Sequence, residues 1–192
     1  MGKSQWLVAG LLAFGASAAQ AQAQERGSVY IAPYVGYSHL RIDAGRVFEE
    51  PETLRFDALH FGATLGYRAP FGLIVEVGRS DALHADLNFF DGSDAFTLTQ
   101  TYGAIGWQVE FADGWHMTPR VGRGRWVLGS DDRVLIDGAG ERHHEIRGWD
   151  NFWEVGLMRD VSSVISMGIN FKDVDQEFGH TRTGEFSVRF RF

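Results

Sequence analysis

The sequence predicts an all-β fold, an eight-stranded antiparallel up-and-down transmembrane β-barrel. Three observations carry that expectation. Apolar and polar residues alternate over segments of about ten to fifteen residues. The breaks between segments are alternately short and long. After the first 23 residues no apolar run is long enough for a membrane helix.

The segments follow in order. The first, Val29–Arg41, contains "YVGYSHL". In the second, Arg55–Arg68, Leu59, Phe61, Ala63, Leu65 and Tyr67 share one face, opposite His60, Gly62, Thr64, Gly66 and Arg68. In the third, Leu73–Ala82, Leu73, Val75 and Val77 flank Glu76 and Gly78. In the fourth, Ala95–Phe111, Ile105, Trp107, Val109 and Phe111 oppose Ala104, Gly106, Gln108 and Glu110. The fifth and sixth are Trp115–Leu128 and Arg142–Arg159. The seventh, Val161–Val174, sets Ile165, Met167, Ile169 and Phe171 against Ser166, Gly168, Asn170 and Lys172. The eighth, His180–Phe192, ends the chain with Phe186, Val188, Phe190 and Phe192 alternating with Glu185, Ser187, Arg189 and Arg191.

The short breaks are "APFG", "ADG" and "DVSS"; the longer ones are polar. In an antiparallel meander odd and even connections lie at opposite ends, so all short turns share one end. Outer-membrane barrels have short periplasmic turns, longer outer loops and an even strand number. Aromatics also gather at segment ends, at Tyr67, Phe71, Phe111, Trp115, Trp149, Trp153, Phe190 and Phe192, where interfacial girdles sit. A soluble lipocalin-like barrel shares the alternation. The mixed charges and many glycines on the polar face suit a narrow, packed lumen better.

Residues 1–23 read as a secretory signal peptide: Lys3, an apolar run over Trp6–Phe14, then small residues ending at Ala21 or Ala23. The barrel domain is then 24–192, and the expected location is the cell outer membrane. The net charge of -7 argues against nucleic acid, and with no cysteine there is neither a disulfide nor a thiolate metal site.

The run "GATLGYRAPFGLIVEVGRS", with "YVGYSHL" and the final "SVRFRF", resembles the OmpA-like transmembrane domain and the small OmpX/Ail-type barrels. The resemblance covers nearly the whole exported chain and concerns the barrel portion of such proteins. It implies an envelope or surface role, and its alternative is a narrow ion pore with a charge gate. A terminal aromatic strand resembles the signal read by outer-membrane assembly machinery, here Phe190 and Phe192.

Lumen charges form the candidate site. Glu76, Glu110, Glu154 and Glu185 are expected to face Arg68, Arg120, Lys172, Arg189 and Arg191 in a paired network, since unpaired charges there are costly. Arg123 and Arg125 share the parity of Val121, expected to face lipid. Arg125 is expected at the outer rim, reaching lipopolysaccharide phosphates; for Arg123 a bulge at Gly122/Gly124 is the alternative. His143 and His144 lie near Asp131, Asp132 and Glu141, but neighbours on a strand point apart, so no metal and no cofactor are expected.

No enzyme is expected. The region "INFKDVDQEFGH" lacks the His-Tyr-Ser-Asn-like run of the PagL-type lipid A deacylases, "QERGS" leaves no room for the leading helix of the PagP type, and Ser38 and His39 are strand neighbours. The remaining expected partners are outer-membrane lipid and a surface ligand at the loops "FEEPE", "LNFFDG" and "SDDRVLIDG".

Overall fold

The computed structural model describes residues 27–43, 53–83, 96–130, 135–136, 142–143, 145–176 and 179–192. Residues 1–26, His144 and most of the long loops lie outside these residues.

Eight strands close into a barrel. They are β1 (Ser28–Asp43), β2 (Thr53–Arg68), β3 (Leu73–Leu83), β4 (Phe96–Trp107, resumed as Val109–Ala112), β5 (Trp115–Ser130), β6 (Glu145–Asp160), β7 (Ile165–Gln176) and β8 (Gly179–Arg191). Every neighbouring pair is antiparallel, and β8 pairs with β1 from Tyr30↔Arg191 to Ile42↔Gly179. Phe192 N donates to Val29 O at 2.9 Å, so the seam is hydrogen-bonded to the last residue. Closure leaves no strand edge to be satisfied by lipid, which cannot hydrogen-bond it.

The register is staggered. Paired residues run from Tyr30 through Gly66, Glu76, Ala104, Gly122, Phe152, Val174 and Thr181, and return to β1 at Leu40. Such a shear goes with strands tilted by about 40°. Trp115 and Arg123, two outward residues of β5, are then about 20 Å apart along the barrel axis at about 3.3 Å per residue. That is close to the height of an apolar belt.

The belt itself is an outward row of exposed apolar side chains: Val29, Ile31, Val35 and Tyr37 on β1, Leu59, Phe61, Leu65 and Tyr67 on β2, and Met167, Ile169 and Phe171 on β7. These residues have no core to enter. Their exposure is the expected arrangement when hydrocarbon is the solvent.

Inward, large rings stand opposite glycines. Tyr30 pairs with Gly66, Tyr34 with Gly62, Tyr102 with Gly78, Phe152 with Gly122 and Trp126 with Gly148. A Cβ on Gly66 would lie 2.2 Å from Tyr30 Cζ, and one on Gly122 2.3 Å from Phe152 Cζ. The glycines are the space into which the rings fold, the large-and-small alternation a narrow barrel requires. Two tight turns need a different property of glycine: Gly72 (φ 95°) and Gly114 (φ 68°) adopt the left-handed region.

Beyond shifts of one or two residues at the strand ends, three segments differ from expectation. The seventh strand begins at Ile165, not Val161: Val161 N donates to Ile165 O at 2.9 Å, and Ser162 Oγ accepts from Val164 N and Ile165 N, so a serine turn takes the backbone groups of 161–164. The fourth is interrupted at Gln108, whose amide donates to Gly72 O in the adjacent turn at 2.8 Å. The sixth starts in the barrel at Glu145, because Arg142 and His143 pair with Ile136 and Leu135 in a short ribbon.

Candidate functional site: a charged lumen

Three tiers of polar side chains fill the lumen, because residues of one parity on every strand point inward and tilt brings neighbouring strands' residues to similar heights. The middle tier is built on Arg120 of β5. Its Nη1 donates to Glu154 Oε1, and its Nε lies 3.4 Å from Glu76 Oε2. Glu76 also accepts from the Tyr30 hydroxyl, and Arg189 Nη2 lies 3.9 Å from Glu76 Oε1. The Arg189 guanidinium stacks 4.2 Å from the Tyr30 ring centre and donates to Gln108 Oε1 at 2.8 Å. Arg120, Glu76, Glu154 and Arg189 are all buried.

The tier above holds Lys172, fully buried on β7. Its Nζ donates to Gln100 Oε1 at 2.6 Å and sits 4.4 Å and 4.3 Å from the ring centres of Tyr102 and Phe152. Among the described residues no carboxylate lies within ion-pair distance of it. Glu185 Oε1 is instead 3.2 Å from His60 Nε2, and Tyr34 stacks on His60 at 5.7 Å. Tyr102 OH joins Thr64 Oγ1 at 2.7 Å and Tyr34 OH at 3.5 Å. Three carboxylates (Glu76, Glu154, Glu185) and three cations (Arg120, Lys172, Arg189) thus share one low-dielectric interior, where an unmatched charge is expensive.

The lowest tier lies by the short turns. Asp160 accepts from Ser166 Oγ at 2.6 Å, from His116 Nε2 at 2.8 Å and from Arg191 Nη2 at 3.0 Å. The carboxylate stands between Ser166 and His116. Both donate to it, so this serine and histidine do not form a nucleophile–base pair.

Of the charged residues that the sequence marks, Glu76, Arg120, Glu154 and Arg189 meet directly. Lys172 and Glu185 occupy the tier above, and Arg191 joins the lowest tier through Asp160. Arg68 is buried in the lumen near the same end. Glu110 is half-buried at the short-turn end, where its Oε1 accepts from Gly114 N at 3.4 Å and its charge acts on Arg68. Charge alone does not mark the uncharged partners Tyr30, Tyr34, Gln100 and Tyr102, or the histidines His60 and His116. Their inward parity is readable in the sequence, but their partners depend on the stagger.

Two small cavities lie among the described residues of the lumen. One of about 20 Å³ is lined by Ser38, His60, Ser80, Gln100, Lys172 and Thr183 among others. The other, about 10 Å³, lies among Glu76, Arg120, Glu154, Asn170, Glu185 and Arg189. Each is the size of about one water; the smaller is walled by polar groups able to hold one, whereas Ala82, Leu98 and Val174 make the exposed wall of the larger mostly apolar.

Outside, Arg123 and Arg125 are exposed and keep the parity of Val121. The β4–β5 register runs unbroken through Gly122 and Gly124, so no bulge turns Arg123 inward. Ser38 points into the lumen toward Thr183 Oγ1 at 2.9 Å, while His39 faces out and meets Asp57 at 2.8 Å.

The family model described as "Outer membrane protein beta-barrel domain" matches residues 9–192. Among solved structures, Neisserial surface protein A is 11% identical over 85% of this chain and 97% of that chain, with a TM-score of 0.60. Ail, the attachment invasion locus protein of Yersinia pestis, solved with the heparin analogue sucrose octasulfate, is 12% identical over 85% and 99%, with a TM-score of 0.54. At these identities the likeness is one of fold. No curated protein matches the chain by sequence.

Proposed function

The chain belongs to the outer membrane protein beta-barrel domain family, and from that premise we propose that it is a non-enzymatic barrel with an envelope-integrity or surface-interaction role and a closed lumen. The observation carrying this reading is the interlocked lumen: Arg120 held between Glu154 and Glu76, Lys172 held by Gln100 and two rings, with cavities of about 20 Å³ and 10 Å³ beside them among the described residues. A continuous ion path would need these groups to part.

Export by the N-terminal signal delivers the chain, and Phe190 and Phe192 on the closing strand present it to the assembly machinery. The long loops then supply the contact surface toward ligands outside the cell. A second reading, a narrow ion path, has one observation in its favour. The larger cavity touches Lys172, which has no carboxylate within ion-pair distance among the described residues, so a modest rearrangement would extend the opening.

Conductance in planar bilayers, combined with mass spectrometry of host lipid A, tests both. The closed barrel is expected to be electrically silent and to leave the acyl pattern unchanged. Steady conductance altered by Lys172→Met would establish the ion path instead, and a changed acyl pattern would establish a lipid-modifying enzyme.

A further inference from the structure

The apolar belt is uneven. On β1 and β2 it continues up to Tyr37 and Leu59. On β3 it stops at Val77, with Arg79 next on the same face; on β5 it stops at Val121, followed by Arg123 and Arg125. Between them β4 presents Ile105, then only the small Gly103, Thr101 and Thr99.

The register gathers these residues. Arg79 pairs with Thr101, and Thr101 with Arg125; Val77 pairs with Gly103, and Gly103 with Arg123. Arg79 and Arg125 therefore flank Thr101 with Cα atoms about 10 Å apart, and Arg123 lies about 7 Å along β5 from Arg125. A Cβ built on Gly103 would meet nothing closer than 3.8 Å, so the floor of this trough is open. Trp149 of β6, opposite Arg125, forms the far wall, with the Arg123 guanidinium 5.6 Å from its ring centre.

Among the described residues, positive charge is in excess here and paired elsewhere at the same level. Across β2, β1, β8 and β7, Asp57 pairs with His39 at 2.8 Å, and Asp173 with Arg182 and His180 at 3.2 Å. In the trough, Asp81 is 3.7 Å from Arg79 and already accepts from Thr99 Oγ1 at 2.7 Å. Among the described residues no carboxylate pairs with Arg123 or Arg125. Arg123 and Arg125, outward just above hydrocarbon and without an acid partner among the described residues, call for an anion supplied by the membrane. Guanidinium groups match phosphate oxygens in bidentate geometry.

The trough lies toward the long-loop end, which faces the cell exterior. We propose that Arg79, Arg123 and Arg125, around Thr101 and Gly103, seat a phosphate of a phosphorylated glycolipid of the outer leaflet. Its acyl chains run down over Val77, Ile105 and Val121. This rests on the outer-membrane reading of the barrel.

The test uses the folded full-length chain in detergent micelles and native mass spectrometry. The probes are bisphosphorylated lipid A, monophosphoryl lipid A, phosphatidylglycerol and inorganic phosphate. Bisphosphorylated lipid A is expected to be retained most strongly. Retention is expected to fall about thirtyfold in R123Q/R125Q, to weaken in R79Q, and to be unchanged in R159Q, an outward arginine at the opposite interface. Equal retention by R123Q/R125Q would overturn the seat. Equal retention of phosphatidylglycerol, or displacement by inorganic phosphate, would overturn the glycolipid assignment. Heat-modifiable migration is read separately: its absence in the unaltered chain would overturn the barrel premise rather than the seat.

Discussion

Arg120 and Glu154 are direct register partners on β5 and β6, and their side chains are joined inside the lumen, with Glu76 on the guanidinium's other side. The pair is buried, so its effect on stability lies in what each partner does to the other. Two charges brought out of water cost much of what their attraction returns, whereas one left alone costs heavily.

Glu154→Gln alone is therefore expected to destabilise the folded barrel by about 3–5 kcal/mol. The double change Arg120→Met with Glu154→Leu should cost less than the single change. Urea midpoints of the refolded protein in lipid vesicles measure both.

Gly66 lies beneath the Tyr30 ring, with no room for a methyl group. Gly66→Ala is expected to cost about 1–3 kcal/mol through displaced packing. Gly184 is the contrast, because an added Cβ meets nothing within 4 Å. Gly184→Ala is expected to be neutral or stabilising by up to about 1 kcal/mol, since it removes strand-glycine entropy. The same urea titration separates the two signs.

Ile169 is exposed on the middle of the β7 belt. Ile169→Arg is expected to destabilise by about 2–4 kcal/mol, the cost of an arginine near the midplane. Arg125→Leu, above the belt, should change stability by less than about 1 kcal/mol in vesicles of neutral lipid. Equal effects at the two positions would argue against placing Ile169 at mid-membrane and Arg125 at its rim.

Deleting Phe192 removes one seam hydrogen bond, to Val29 O. Refolding in detergent, followed by gel migration with and without heating, is expected to remain intact. The amount assembled in the outer membrane of cells is expected to fall severalfold. Equal losses in both settings would assign Phe192 to the seam alone.

Much of the fold is legible in the chain, for local reasons. Period two is a property of a single strand, so Ile169 and Phe171 opposite Asn170 and Lys172 already separate lipid face from lumen. The turn residues likewise mark which end is short. The serine turn at Ser162 is harder to read, because Val161 and Val164 look like strand residues until their amides are taken by Ile165 O and Ser162 Oγ.

The barrel, its strand faces and the parity of its inward charges are thus written in the chain. The pairings are not: Lys172 meets Gln100 and, among the described residues, no carboxylate, Glu185 meets His60, and Arg79 faces Arg125 across Thr101. They follow from the stagger that carries Tyr30 round to Leu40. Alternation is written within each strand, but partnership depends on the register accumulated around the closed ring.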